Sequence, residues 1–441
     1  MPLYLITGAS GFLGYHLVRQ LVEDGADVKI LDLNPPGSSR TLARSIAAPL
    51  LTADPPPLSR AADDPKAFRP AEHFHLEAEA AARISFVQGN ILETDKLEAE
   101  CEGVDGVFHL AGIVKHSRDN PHPPTVEVAW KVNVEGTFNV FNAVAKVGER
   151  QGKKARIVYA SSSGCVACQN SRTGPGGDES PLCEDVVRGD QYGEYGKFPY
   201  YAAKIEVEQK GMPLAEELGL EVVWMRPTMM LGPGDHLFRS TGLVVSFLKG
   251  SIPMVPSGGA SFLDVRDSAA MFKAAMELEE LPRPNPTYTL GAHNCTVREL
   301  FALFAKHTGV RAPTWSPPYF LLHAAASFLY RASKRTNTTL DPVRAEMGSV
   351  FWDCDWSMAE KELGFKPRDH EETVVDTIEY VRKHHSHPKV NGSKPCSGPP
   401  AQWAPKVVNT LVVALIAWGV WKYFGRNRGP STLSSGDASR V

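Results

Sequence analysis

The 441-residue sequence has few cysteines, little net charge and no long basic segment. Seven cysteines are too few and too scattered for a disulfide scaffold, and their odd number favours a reducing compartment. The 47 basic and 50 acidic side chains leave a net charge of −3, which gives no reason to expect a nucleic-acid partner. No signal peptide is visible, because the first apolar run starts at about Leu3. We therefore expect an ordinary globular protein whose folded part faces the cytosol.

A glycine-rich segment is the most informative motif that is present. TGASGFLG occupies residues 7–14, directly after an apolar run of strand length. Gly8 permits a tight turn, Gly11 lets the backbone approach a pyrophosphate, and Gly14 lets the following helix pack closely on the strand. The helix N-terminus supplies free N–H groups and the positive end of a dipole. The spacing predicts a dinucleotide-binding loop.

An acidic residue supports this interpretation. Asp32 ends the next apolar run, where a carboxylate accepts hydrogen bonds from the hydroxyls of the adenosine ribose. The same carboxylate repels a 2′-phosphate, and Leu33, Asn34 and Pro35 add no arginine to attract one. The sequence therefore favours NAD over NADP, without excluding NADP.

Strand-like and helix-like segments alternate along the first half of the chain. The strands predicted after the first are Val28–Asp32, Ile84–Gln88, Gly106–Leu110, Arg156–Ala160 and Glu221–Met225, and the predicted helices include Val126–Val147 and about Tyr200 to Leu218. This alternation predicts an α/β fold with a doubly wound parallel sheet in a domain over residues 1–385. Its cofactor half spans about 1–227, with a smaller substrate lobe over about 228–385. Residues 34–83, crowded with Ala and Pro, predict an inserted surface loop without structure of its own.

The C-terminal region has a different composition. Residues 386–405 are rich in Pro, Gly and Ser, which is typical of a linker. Residues 407–421 carry no charge, and snorkelling of Lys422 extends the apolar stretch to Phe424, enough for a thin bilayer such as the endoplasmic reticulum. We predict a single membrane anchor over 406–424, followed by a polar tail over 425–441. The alternative is a buried or interfacial helix.

Two groups of residues have the chemistry of proton transfer. Tyr200 and Lys204 are four residues apart at the start of a predicted helix and so share one face, where an ammonium would lower the pKa of the phenol. Ser161, Ser162 and Ser163 follow the fifth predicted strand, at the sheet edge where ligands bind in open α/β folds. Spacing alone does not select one of the three serines.

These motifs together resemble a known family. TGASGFLG, HLAG (109–112), VNVEGTFNV (132–140), YASSSG (159–164), PYYAAK (199–204), RPTMMLGPGD (226–235) and FLDVRDSA (262–269) occur in the order found in the extended short-chain dehydrogenases/reductases. The sequence is most similar to the branch that holds 3β-hydroxysteroid dehydrogenases, sterol-4α-carboxylate dehydrogenases and dihydroflavonol-reductase-like proteins. The resemblance covers residues 1–385 apart from the insertion.

The resemblance implies roles for individual residues. Tyr200 would be the acid/base and Lys204 its pKa partner and a ribose ligand. Ser162, with Ser163 as a near alternative, would orient the substrate, and Asn133 would support the proton relay. The implied cofactor-binding residues are Gly8, Ser10, Gly11, Phe12, Leu13, Gly14, Asp32, Asn90, Ile91, Leu110, Ala111, Gly112, Lys204 and Pro227. Asn90 stands where the family often has an aspartate, and Gly112 replaces a commoner alanine.

The expected activity is hydride transfer between NAD and a secondary alcohol or ketone of a small lipophilic substrate, with a 3β-hydroxysteroid as the best single guess. One alternative is an NAD-dependent nucleotide-sugar epimerase or dehydratase, in which Arg239 and Arg266 would grip a diphosphate. Others are an NADPH-dependent carbonyl reductase of the flavonoid or aldehyde type, and a cofactor-binding scaffold without catalysis. A homodimer is compatible with the sequence. We expect no metal site, since Cys165 and Cys168 lack a second pair.

Overall fold

The computed structural model describes residues 1–35, 70–116, 124–166, 198–252, 254–333 and 342–392. Its strands are β1 (Leu3–Thr7), β2 (Asp27–Asp32), β3 (Ile84–Gln88), β4 (Gly106–His109), β5 (Arg156–Ala160), β6 (Val222–Pro227), β7 (Met229–Leu231), β8 (Gly259–Asp264), β9 (Thr287–Leu290), β10 (His293–Thr296) and β11 (Phe351–Trp352). Its α-helices are α1 (Phe12–Glu23), α2 (Pro70–Phe74), α3 (Ala78–Ala81), α4 (Thr94–Glu100), α5 (Val126–Trp130), α6 (Gly136–Gln151), α7 (Pro199–Glu217), α8 (Gly242–Leu248), α9 (Val265–Met276), α10 (Val297–Thr308), α11 (Tyr319–Ser333), α12 (Pro342–Met347), α13 (Ser357–Leu363) and α14 (His370–His384).

Seven strands form the main sheet, in the order β3-β2-β1-β4-β5-β6-β9, and every neighbouring pair is parallel. The strand order reverses between β1 and β4, which opens a crevice at the carboxyl edge of the sheet. The predicted doubly wound sheet is confirmed, and the strand ends differ from the predicted ends by at most two residues. The largest difference is in β6, which runs to Pro227 rather than Met225.

Helices cover both faces of this sheet. On one face, α1 and α9 pack together over buried residues such as Ile6, Leu17 and Phe272. On the other face, α6 and α7 cover a second cluster that includes Phe141, Tyr159 and Trp224. Strands buried on both sides explain why these sequence segments are almost continuously apolar.

The predicted helix over 126–147 has a break that the sequence analysis missed. A π-helical turn over Lys131–Glu135 separates α5 from α6. Because a π turn displaces the hydrogen-bond ladder by one residue, backbone groups within it meet new partners. The carbonyl of Asn133 accepts a hydrogen bond from Thr137 Oγ1 at 2.7 Å. The helix then continues to Gln151 and ends at Gly152, whose φ of 64° is left-handed.

The expectation of a structureless insertion over 34–83 is wrong for its last part. Residues 70–81 contain α2 and α3, and the side chain of Phe74 is fully buried. Phe74 stacks on Tyr15 of α1 with ring centroids 5.8 Å apart. This apolar contact fixes the end of the insertion on the main domain. Residues 36–69 lie outside the described residues.

A second, four-stranded sheet lies beyond β6. Its strand β8 pairs with β10 in antiparallel and with β7 and β11 in parallel orientation. Helices α8, α10 and α14 share with it an apolar cluster that includes Phe247, Phe262 and Phe304. This unit occupies the part of the chain where we predicted a substrate lobe, and the domain division itself stays a prediction.

Over the described ranges, which end at residue 392, no helix is both long and apolar enough to cross a bilayer. The predicted anchor over 406–424 and the tail over 425–441 lie outside these ranges, as does most of the predicted linker over 386–405.

Candidate active site

The glycine loop joins β1 to α1, and each of its three glycines has different neighbours. Gly8 has a φ of +75°, and a Cβ there would lie 2.6 Å from Ala111 Cα. A Cβ on Gly14 would lie 2.5 Å from Ala9 Cα, so this glycine lets α1 pack against the loop. A Cβ on Gly11 would meet only the Gly8 carbonyl oxygen, at 3.3 Å. The loop therefore leaves open the face on which a pyrophosphate would bind.

The start of α1 fits an anionic group. Gly11 is the N-cap of this helix and has no side chain to satisfy the first N–H groups, which belong to Phe12, Leu13 and the residues after them. Oriented N–H groups of this kind bind phosphate oxygens. The loop and helix end fit the pyrophosphate of a dinucleotide.

Asp32 lies at the end of β2, beside the loop. Its Oδ2 accepts a hydrogen bond from the backbone N–H of Ser10 at 3.0 Å, and Ser10 Oγ donates to the Asn34 carbonyl at 2.8 Å. Burial raises the pKa of Asp32, and the hydrogen bonds from Ser10 oppose that shift. The carboxylate is thus placed where the sequence predicts a contact with the adenosine ribose.

The other predicted cofactor positions follow neighbouring strands at the same edge. Asn90 and Ile91 follow β3, and Asn90 Oδ1 accepts a hydrogen bond from Leu92 N–H at 3.1 Å. Leu110, Ala111 and Gly112 follow β4, and Pro227 is the last residue of β6. A Cβ on Gly112 would lie 3.3 Å from Asn133 Oδ1 and 3.8 Å from Lys204 Nζ, which places this glycine between two predicted catalytic residues.

Tyr200 and Ser162 meet at the carboxyl edge of the sheet. Tyr200 is in the first turn of α7, and its phenol lies near the hydroxyl of Ser162, which lowers the pKa of the tyrosine. Ser162 Oγ also accepts a hydrogen bond from Gly164 N–H at 3.1 Å. Ser161 Oγ instead donates to Glu208 Oε1 at 2.5 Å. Of these two serines, it is Ser162 that the structure brings to the tyrosine.

Lys204 is also buried, but its ammonium turns toward β5. Its Nζ donates to the hydroxyl of Tyr159 at 3.0 Å and to the carbonyl of Ala160 at 2.5 Å, and it lies 5.9 Å from the centre of the Tyr200 ring. Burial lowers the pKa of Lys204 to about 8. In the protein without ligand, burial raises the pKa of Tyr200 more than the Ser162 hydroxyl lowers it, and a lowering by Lys204 stays a prediction.

Asn133 holds the segment that follows β4. Its Nδ2 donates to the Ile113 carbonyl at 2.9 Å, and its Oδ1 accepts from Ile113 N–H at 2.7 Å. Both bonds come from the π turn, which directs the amide toward the site. The structure therefore collects Tyr200, Ser162, Lys204 and Asn133 around the end of β5.

A protein-family comparison agrees with this geometry. The NAD dependent epimerase/dehydratase family matches residues 4–291. The chain belongs to this family. It is therefore an NAD(P)-dependent enzyme of the oxidoreductase type with a nicotinamide dinucleotide as cofactor, and the resemblance to the extended short-chain dehydrogenases/reductases is confirmed.

Curated relatives of this epimerase/dehydratase-family chain include reductases. A putative dihydroflavonol 4-reductase from Synechocystis sp. is 25% identical over 391 residues, which is 86% of this chain and 95% of the relative. Cinnamoyl-CoA reductase 1 from Oryza sativa subsp. japonica is 30% identical over 269 residues, which is 60% of this chain and 65% of the relative.

Solved structures show the same fold at lower identity. MoeE5 in complex with UDP-glucose and NAD superimposes with a TM-score of 0.57 at 19% identity, over 87% of this chain and 99% of that one. UDP-glucose 4-epimerase from Thermotoga maritima, solved with UDP-glucose, gives a TM-score of 0.55 at 20% identity, over 86% and 99%.

One pair of buried charges in the epimerase/dehydratase domain was missed by sequence reasoning. Glu208 follows Lys204 by four residues on α7, and its carboxylate receives two hydrogen bonds from Arg226, at 3.0 and 2.6 Å. Both side chains are almost completely buried. Tyr200, Lys204 and Glu208 are spaced by four residues, so the sequence could have placed the glutamate on the same helix face as the two site residues. Nothing in the sequence indicates that it pairs with Arg226.

The structure also revises the diphosphate site considered for a nucleotide-sugar substrate. The Arg266 guanidinium pairs with Asp264 at 2.7 Å and with Asp376 at 2.6 Å. Two carboxylates already neutralise this cation, so it does not offer the free charge that the alternative requires. Arg239 is exposed on the loop after β7.

The structure shows no metal site at Cys165 within the part of the chain that it describes. Cys165 is buried, with Sγ 3.4 Å from Ser161 Oγ, and Cys168 lies outside the described residues. Within the described ranges, no group of three or more His, Cys, Asp or Glu side chains could hold a metal ion.

Proposed function

We propose that the protein interconverts a secondary alcohol and the corresponding ketone of a hydrophobic substrate. The observation that carries this proposal is the placement of Ser162, Tyr200 and Lys204 around the end of β5, at the sheet edge that also holds the glycine loop. When bound, the nicotinamide supplies or accepts the hydride. The hydroxyl groups of Ser162 and Tyr200 at this position can transfer the proton that must move to or from the substrate oxygen.

The roles of the side chains follow from their hydrogen-bonding capacity. Ser162 donates to the substrate oxygen and holds it next to the Tyr200 hydroxyl. Tyr200 gives its proton to that oxygen in the reductive direction and takes one in the oxidative direction. The Lys204 ammonium favours the ionised tyrosine through its charge. Asn133 keeps the segment after β4 in place through its two bonds to Ile113.

Aromatic surfaces beside Tyr200 support a ring-bearing substrate. The His116 ring lies 5.6 Å from the Tyr200 ring and 5.4 Å from that of Tyr201, and the Tyr201 ring lies 5.3 Å from that of Trp352. A Cβ on Gly164 would overlap the Tyr201 ring, so this glycine lets Tyr201 lie against the serine turn. Flat apolar side chains of this kind bury the rings of a lipophilic ligand.

Two substrate classes fit this surface. A 3β-hydroxysteroid offers fused rings with a secondary alcohol. A phenylpropanoid-type carbonyl compound is the second candidate, and the names of the dihydroflavonol 4-reductase and cinnamoyl-CoA reductase relatives favour it. The paired state of Arg266 disfavours a sugar nucleotide, although the chain belongs to an epimerase/dehydratase family.

A substrate panel tests the proposal. The purified full chain is incubated with NAD or NADP and a 3β-hydroxysteroid, and with NADH or NADPH and a dihydroflavonol, a cinnamoyl-CoA or UDP-glucose, while absorbance of the reduced dinucleotide is followed. We expect net oxidation or reduction of the dinucleotide with the 3β-hydroxysteroid or the dihydroflavonol, whereas turnover of cinnamoyl-CoA alone, a thioester that loses CoA on reduction, would contradict the alcohol–ketone assignment. Conversion of the UDP-sugar to an epimer with no net change in the dinucleotide would contradict it.

We also propose that residues 406–424 anchor the protein in a membrane, with the catalytic domain on the cytosolic side and the endoplasmic reticulum as its site. The apolar segment between Lys406 and Lys422 and a lipophilic substrate support this proposal. The full chain should sediment with phospholipid vesicles at high salt, whereas a chain ending at residue 392 should stay in the supernatant. Equal partitioning of the two chains would show that the segment does not anchor the protein.

A further inference from the structure

We propose that Tyr159 is a positioning residue that holds the Lys204 ammonium through its hydroxyl oxygen. The inference rests on the proposed function, in which the charge of Lys204 assists Tyr200. It adds a residue from the middle of a core strand to the site.

The contact between the two side chains is enclosed. Lys204 is 4% exposed and Tyr159 is fully buried. The Tyr159 ring stacks on His109 at 5.5 Å and meets Trp224 edge-on at 5.3 Å, so the ring has no room to swing. The ammonium lies 3.0 Å from the hydroxyl and 4.5 Å from the centre of the same ring. The ring and its hydroxyl thus face the cation together.

The hydrogen bonds around Tyr159 have one consistent direction. An ammonium can only donate, so the Tyr159 oxygen accepts from Lys204. Thr137 Oγ1 donates its single proton to the Asn133 carbonyl at 2.7 Å. The Tyr159 hydroxyl keeps its own proton for donation, and Thr137 lies near enough to lower the pKa of Tyr159.

A buried histidine completes the network without adding charge. His109 Nε2 lies 3.0 Å from Thr137 Oγ1, and its Nδ1 lies 2.6 Å from Thr7 Oγ1. Burial, reinforced by the nearby Lys204 charge, lowers the pKa of His109 to about 3. The neutral ring donates from Nε2 to Thr137 and accepts at Nδ1 from Thr7, a tautomer assigned from these partners.

Other titratable groups face Lys204 from the surrounding elements. These are Tyr200 and Glu208 on its own helix, Cys165 on the turn after β5, Tyr159 on β5 and His109 on β4. Glu208 is already paired with Arg226, and Cys165 is kept neutral because burial raises its pKa. The Tyr159 hydroxyl and the Ala160 carbonyl are thus the direct acceptors that offset the burial of the ammonium.

The titration of Lys204 tests the inference without substrate or cofactor. The full chain is labelled with ¹³Cε-lysine, and Lys204→Met identifies the Lys204 signal in NMR spectra. The wild-type midpoint is expected at about 8. Tyr159→Phe removes one of the two acceptors and should lower the midpoint by about one unit.

Tyr288→Phe is the matched control, since Tyr288 is also fully buried on a strand and its hydroxyl donates to Glu362 Oε2 at 2.6 Å, in a different part of the molecule. This variant should leave the Lys204 midpoint unchanged. An unchanged midpoint in Tyr159→Phe, or an equal shift in Tyr288→Phe, would overturn the inference. If instead no substrate of the panel is turned over, the proposed function fails while the titration still decides the role of Tyr159.

Discussion

Tyr200 and Lys204 share one face of α7, where Lys204 is buried and Tyr200 is half-buried. Burial disfavours the charged form of both groups, so it raises the pKa of the phenol and lowers the pKa of the ammonium. The lysine remains a useful cation near neutral pH because the Tyr159 hydroxyl and the Ala160 carbonyl accept hydrogen bonds from its ammonium. The tyrosine has the hydroxyl of Ser162 nearby rather than a direct contact with the ammonium.

At the scale of single residues, the sequence predicts those site residues whose spacing and position in the chain leave few alternative interpretations. Gly8, Gly11, Gly14 and Asp32 follow strands at fixed distances, and the structure places all four at the sheet edge. Tyr159 could not be recognised in this way, since it lies in an apolar strand and has the composition of a core residue. Its role depends on Lys204, and only the folded chain brings the two together.

At the scale of elements, two glycines in the turn from β1 to α1 have different roles: Gly14 is needed for packing, and Gly11 faces the ligand. Gly14→Ala would force a Cβ against Ala9, and we expect it to lower the free energy of unfolding by about 2 kcal/mol. Gly11→Ala meets no close atom except the Gly8 carbonyl oxygen, so it should fold normally and weaken dinucleotide binding at least about tenfold.

Chemical denaturation and calorimetric titration with NAD and NADP measure the two effects. Gly242→Ala, at the start of α8, is the control, because its Cβ would meet no atom within 4 Å. It should change neither quantity. Wild-type dinucleotide affinity in Gly11→Ala would show that the cofactor does not pass over this loop.

The strands of the main sheet were predictable because parallel strands buried on both faces are nearly continuous apolar runs. The π turn was not, since one extra residue in a helix leaves the apolar pattern on either side almost unchanged. The packing of α2 was also missed, because a single aromatic side chain, Phe74, fixes this short helix and the surrounding composition favours a loop.

At the scale of the whole molecule, the parallel sheet brings together residues that are far apart in the sequence. The glycine loop follows β1, Ser162 follows β5, and Tyr200 and Lys204 begin the helix that packs beside them. Because all carboxyl ends of the strands lie at one edge, a dinucleotide on the loop and a substrate at Ser162 would share one crevice. The aromatic residues His116 and Trp352 come from two further segments, which no local sequence pattern connects.

The central claim is that Tyr200 moves a proton while hydride passes between substrate and nicotinamide. The most direct test uses a substrate from the panel with deuterium on the carbinol carbon, and measures by mass spectrometry and NMR where the deuterium goes. We predict its transfer to the oxidised dinucleotide, which becomes the deuterated reduced form, in the wild type and in the Tyr288→Phe control. Tyr200→Phe should slow that transfer about 100- to 10,000-fold while folding normally and binding the dinucleotide. Deuterium that remains in the organic product, or an undiminished rate in Tyr200→Phe, would contradict the account.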